Sequence, residues 1–98
     1  MAILNKLGSH PDHTANVVGP LCTPLDTLAL DAVFPKPEVG DLVGIFQSGA
    51  YARTSSPLGF LSHPAPPEVM VHEGQVDLIR RRGDYQGLLE DQGPPAGP

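Results

Sequence analysis

The sequence predicts a mainly β domain with short helical turns. Three observations carry that expectation. The apolar runs are short and rich in branched residues, Gly and Pro punctuate them, and two strand-like segments flank Glu73-Gly74. Taken in order, Asn16-Val17-Val18-Gly19 should be a strand that stops at Pro20, which has no N–H for a ladder. Thr23 followed by Pro24 reads as a cap and first helical position, enough for one turn toward Leu30. Ala32-Val33-Phe34, closed by Pro35 and Pro37, reads as an edge strand. Gly40-Asp41 opens a further strand over Leu42–Gln47, and Pro64–Pro67 must be extended. Glu68–His72 and Gln75–Arg80 form a hairpin about Glu73-Gly74. A short helix is expected from Asp84 to Asp91, capped by Asp84, with Leu88 and Leu89 turned inward.

Composition narrows the class further. The chain has 98 residues, 40% hydrophobic and 17% charged, with six Lys+Arg against eleven Asp+Glu and a net charge of -5. That acidic balance excludes a binder that works by basic contacts to nucleic-acid phosphates. No apolar stretch approaches the roughly 18 residues of a membrane span, and no signal-peptide pattern opens the chain. One cysteine cannot staple a secreted scaffold, so the expected location is cytoplasmic. Three regions are expected: a flexible arm over residues 1–15, a β-domain over 16–92, and a disordered Gly/Pro-rich tail over 93–98.

Taken singly, few residues point to chemistry. Cys22 lies between Pro20 and Pro24, and a lone cysteine is ordinarily a small buried hydrophobe. Tyr51 after Gly49-Ala50 reads as a tyrosine at a core edge, with Gly49 allowing close backbone approach. His10, His13 and Cys22 lack the fourth donor of a structural zinc site, so no metal is expected. His63 and His72 are surface residues by default, and Arg80-Arg81-Arg82 is a solvated rim. No nucleophilic triad, phosphate-cradling loop or paired-acid arrangement can be assembled.

The order of the pieces adds what single residues do not. Val18-Gly19-Pro20-Leu21-Cys22-Thr23-Pro24-Leu25-Asp26 comes first, then Gly40-Asp41-Leu42, then Gln47-Ser48-Gly49-Ala50-Tyr51. Together they resemble the C-terminal domain of the fold-type III pyridoxal-phosphate decarboxylases, the group of diaminopimelate, ornithine and arginine decarboxylases. The stretch Phe60–Val69 is similar to that family's lead into its last hairpin. The wording of Phe46–Tyr51 and Phe60–Val69 is most similar to the exosortase-associated subgroup. The resemblance runs from about Asn16 to Arg82.

The resemblance implies a Greek-key-like β-barrel or sandwich, and residue roles within it. Cys22 matches a cysteine that reaches across a dimer interface and protonates the substrate carbon after carbon dioxide departs. A thiol held in contact range is a competent acid for that step. Asp26 matches an acid that braces this loop. Tyr51 matches a tyrosine that bonds the phosphate of pyridoxal phosphate, and Gly49 would let backbone approach that site. Thr23 departs from the acidic residue with which many relatives meet a substrate's distal amine. His63 and Leu61 depart from an arginine and an asparagine, so no role passes to them.

The family's Schiff-base lysine sits on an N-terminal (β/α)8 barrel of about 250 residues, and neither Lys6 nor Lys36 stands in such a context. The chain is therefore expected to lack the N-terminal TIM barrel and to be inactive in isolation, without stable cofactor binding. Its expected partners are the barrel domain, a homodimer partner and an amino-acid substrate. The competing expectation is a non-catalytic interaction module that kept the β-domain fold.

Overall fold

A computed structural model of the protein describes residues 1–97. The chain divides into two compact units, Met1–Thr54 and Ser55–Pro98, each described by itself. The first unit holds β1 (Ala2–Ile3), β2 (His13–Val18), β3 (Thr27–Phe34) and β4 (Val43–Gly44). Within it β1 pairs antiparallel with β4, and β2 with β3. The second unit is built on β5 (Glu68–His72) and β6 (Gln75–Arg80), an antiparallel hairpin.

Several elements follow local chemistry. β2 ends at Val18, ahead of Pro20, and the 3-10 turn Pro24–Asp26 begins on the Thr23 cap, whose Oγ1 accepts the Leu25 N–H at 3.3 Å. The β5–β6 turn puts Glu73 and Gly74 at φ 48 and 78, the left-handed pair that a two-residue hairpin requires. Other expectations are corrected. The strand ending at Phe34 starts at Thr27, and the strand expected over 42–47 is reduced to Val43–Gly44. The expected helix from Asp84 is a 3-10 turn, Gln86–Leu89, with Leu89 exposed. Asp84 still serves it, its Oδ1 accepting the Gly87 N–H at 2.9 Å.

Residues 1–15, expected as a flexible arm, instead carry β1, the 3-10 turn Leu4–Lys6 and the start of β2. The reason is long-range. Ile3 is 2% exposed and Phe34 4%, the buried apolar core among the described residues. With Val17 and Val43 they line an open groove of about 210 Å³. Next to Ile3, the Leu4 N–H donates to the Leu42 carbonyl at 2.7 Å. Of the expected tail, residues 93–97 carry no regular structure, and Pro98 lies outside the described residues.

The sheet architecture is mainly β, but each of its three sheets is two-stranded, and the described residues form no closed barrel. On the β5–β6 hairpin Val69 faces Leu78 and Val71 faces Val76, giving one apolar face, and all four are more than half exposed. A two-stranded hairpin is at best marginally stable alone, and each such side chain left in water forgoes about 1–2 kcal/mol of burial.

Candidate functional site

The loop from Gly19 to Asp26 joins β2 to β3 and ties itself together. The Gly19 N–H donates to the Asp26 carbonyl at 2.8 Å across its base. The Asp26 carboxylate accepts the Leu21 N–H at 2.9 Å, and the Thr23 N–H donates to the Leu21 carbonyl at 2.9 Å. A Cβ on Gly19 would fall on the Asp26 carboxylate, so any larger residue there must push that carboxylate off the Leu21 N–H. Cys22 is exposed on this internally bonded loop, not the buried hydrophobe that a lone cysteine ordinarily is. Leu25 beside it is 83% exposed. A rigid loop that turns a thiol and an apolar side chain outward can offer both to another surface.

Gly49 and Tyr51 share a separate turn in the same unit. The Ala52 N–H reaches the Gly49 carbonyl at 3.4 Å, and Tyr51 sits inside that turn at φ 63. That left-handed conformation is uncommon and strained for a bulky residue. The ring is 78% exposed, so it is not the core-edge tyrosine of the bland sequence reading. A Cβ on Gly49 meets nothing within 4 Å, and its φ is ordinary. Among the described residues nothing therefore demands glycine at 49, in contrast to Gly19.

Sequence reasoning missed a polar clamp around Asp41. Lys6 Nζ donates to Glu38 Oε2 at 2.8 Å and to the Lys36 carbonyl at 2.9 Å, and lies 2.8 Å from Asp41 Oδ2. Asn5 Nδ2 donates to Asp41 Oδ1 at 2.8 Å, while Asn5 Oδ1 accepts the Leu42 N–H at 2.9 Å. Hydrogen bonds from Lys6, Asn5 and the Glu38 N–H hold the Asp41 carboxyl down to about 2. Asp41 and, to a lesser degree, Glu38 raise the Lys6 ammonium pKa in turn. The Gly40-Asp41-Leu42 motif was the available signal, but its side-chain partners Asn5 and Lys6 lie more than thirty residues away in sequence.

The remaining candidates have ordinary roles. His13 Nδ1 is 2.7 Å from Asp12 Oδ1, which pulls the Asp12 carboxyl below its usual range. Arg80 pairs with Glu68 at 3.4 Å and Arg81 with Asp84 at 3.7 Å, exposed pairs of little energetic weight. His63 and His72 are exposed.

The fold and its outward-facing loops define a sheet domain that presents side chains outward. Residues 2–49 match the family model described as the pyridoxal-dependent decarboxylase C-terminal sheet domain. The chain is 43% identical over 76 residues to the L-glutamyl-[BtrI acyl-carrier protein] decarboxylase of Niallia circulans, covering 78% of this chain and 18% of that protein. It is 39% identical over 92 residues to the diaminopimelate decarboxylase of Archaeoglobus fulgidus, covering 94% of this chain and 22% of that protein. The diaminopimelate decarboxylase of Methanothermobacter thermautotrophicus is 37% identical over 86 residues, covering 88% of this chain and 20% of its own length. The chain belongs to the family of pyridoxal-dependent decarboxylase C-terminal domains. It spans about a fifth of the length of the curated relatives it matches. Among the described residues no helix is long and apolar enough to cross a membrane.

Proposed function

We propose that this chain is the sheet domain of a cytoplasmic, pyridoxal-phosphate-dependent amino-acid decarboxylase, supplying side chains to a site completed by a barrel domain and a dimer partner. The observation that carries the reading is Cys22, exposed on a loop that Asp26 braces from within. Bound pyridoxal phosphate supplies the electron sink for decarboxylation. Cys22 Sγ would donate the proton that the substrate's α carbon takes up in place of the departing carbon dioxide, and solvent would restore it. Tyr51 donates its phenol O–H to the cofactor phosphate, and Gly49 leaves room for that phosphate beside the backbone. Asp26 holds the loop through the Leu21 N–H.

Thr23 bears on substrate choice. Its Oγ1 accepts the Leu25 N–H, and a neutral hydroxyl offers no ion pair to a distal ammonium. Ornithine, lysine and diaminopimelate each carry a second ammonium and are therefore poor fits at this position, whereas the glutamyl group on an acyl-carrier protein that one relative acts on has no such distal charge. The three two-stranded sheets are portions of a Greek-key barrel or sandwich that other parts of the enzyme complete, which accounts for the uncovered apolar face on β5–β6.

The test uses the chain assembled with its barrel domain. Cys22→Ala should cut turnover while pyridoxal-phosphate absorbance persists, and Tyr51→Phe should weaken cofactor retention. Wild-type behaviour of both variants would remove the catalytic reading and leave the interaction module. Sedimentation showing concentration-dependent association without cofactor would then support that module.

A further inference from the structure

We propose that Asn16 is a positioning residue for Cys22, an inference that rests on the proton-donor reading of that cysteine. In the β2–β3 pair Ala15 faces Ala32 and Val17 faces Ala29, so Leu30 and Asp31 together stand opposite Asn16 alone. This is a β-bulge, and Asp31 takes it up with φ 52. Asn16 Oδ1 accepts the Asp31 N–H at 2.9 Å and so replaces the ladder partner that the bulge removes. A second irregularity follows at once, since Val18 faces Thr27 and Leu28 is left over.

Both bulges lie between two fixed ends of one hairpin. At the base, His13 pairs with buried Phe34. At the tip, the Gly19–Asp26 loop is closed by the Gly19 N–H to Asp26 carbonyl bond. Bulges bend a strand and increase its right-handed twist, so these two set the direction in which the tip leaves the anchored base. Without the Asn16 oxygen the Asp31 N–H loses its acceptor, and β3 gains a competing register shifted by one residue. That slip would send residues 27–30 to the opposite face and move the Cys22 loop with them. A misplacement of about 1 Å at a reacting group can cost up to about 100-fold in rate.

Four assembled holoenzymes test this: wild type, Asn16→Ala, Cys22→Ala and the double variant. Asn16→Ala should lower kcat by roughly tenfold with KM and cofactor binding unchanged. The same substitution should have no further effect in the Cys22→Ala background, because Asn16 acts through Cys22. Asn16→Asp, which keeps an acceptor oxygen in place, should restore most of the loss. Asn16→Gln, which displaces the amide by one methylene, should behave like alanine and serves if the alanine variant does not fold. Independently of activity, nitroxide labels at Cys22 and at Lys36→Cys should show a changed distance distribution in Asn16→Ala and an unchanged one in Asn16→Asp. An equal loss in both backgrounds, an unmoved label distance, or wild-type kcat in Asn16→Ala beside an impaired Cys22→Ala overturns the inference alone. Full activity of Cys22→Ala overturns the proton-donor reading, and this inference with it.

Discussion

The Asp26 carboxylate occupies the space beside the Gly19 Cα that any larger residue at 19 would need, and it accepts the Leu21 N–H from the same position. One side chain thereby closes the loop that carries Cys22 and dictates the residue seven positions earlier. Gly19→Ala should destabilise the protein by about 1–3 kcal/mol, the range for overpacking. Asp26→Ala removes the Leu21 acceptor and should cost about 1 kcal/mol. The double variant should cost less than the two losses added, because removing the carboxylate makes room for the new methyl group. Denaturant unfolding of the four proteins measures that coupling, and strict additivity would contradict the shared space.

Gly49 should behave oppositely. A Cβ there meets open space, so Gly49→Ala should leave stability within about 0.5 kcal/mol of wild type. Its effect should appear only when the assembled enzyme binds pyridoxal phosphate, as a weaker dissociation constant in a spectroscopic titration. A large loss of stability with unaltered cofactor affinity would place the need for glycine inside this chain.

Tyr51 separates strain from function. Its φ of 63 should cost about 1–2 kcal/mol that Tyr51→Gly recovers, provided the exposed ring packs on little. Tyr51→Phe keeps the strain and loses only the hydroxyl. Thermal melts should therefore rank glycine above phenylalanine, while both variants retain cofactor less well than tyrosine. Phenylalanine holding cofactor as tightly as tyrosine would assign the residue a purely structural part.

The Asp41 clamp gives a pH dependence with a defined sign. The folded carboxyl titrates at about 2, below its ordinary value near 4, so its contribution is complete above that ordinary value. It should fade as pH falls from about 4 to about 2. The Lys6 pKa is raised, so its share is complete below the ordinary lysine range and is lost as pH rises beyond it. Asp41→Asn should flatten the acid limb in melts across pH 2–5. An unchanged limb would show that the clamp is energetically idle.

Legibility from sequence tracked the distance between partners. The β5–β6 hairpin, the stop before Pro20 and the Thr23 cap were all readable, because each depends on residues within a few positions. The structure of residues 1–15 is not legible locally because Ile3 needs Phe34, and Asn5 and Lys6 need Asp41 and Glu38, none of which a local window contains. The Asn16 bulge left no local mark, since an asparagine in a strand looks like a weak strand former. Cys22 and Asp26 stood out through motif order, but the coupling of Asp26 to Gly19 required coordinates.

The β5–β6 turn offers the last prediction. Glu73 holds φ 48 and Gly74 φ 78, so both central positions are left-handed, a conformation that Asn-Gly satisfies better than Glu-Gly. Glu73→Asn should stabilise the hairpin by about 0.5–1 kcal/mol, since asparagine tolerates this region at lower cost. The substitution also removes the contact of Glu73 with His72 at 3.6 Å, but both groups are exposed and the pair adds little. Gly74→Ala should act in the reverse direction by about 1 kcal/mol, because its Cβ enters a left-handed position. Amide hydrogen exchange at His72 and Gln75, the hydrogen-bonded pair that flanks the turn, reads the change locally. Slower exchange in Glu73→Asn and faster exchange in Gly74→Ala are expected. Equal exchange in both would mean that the strands, and not the turn, hold this hairpin closed.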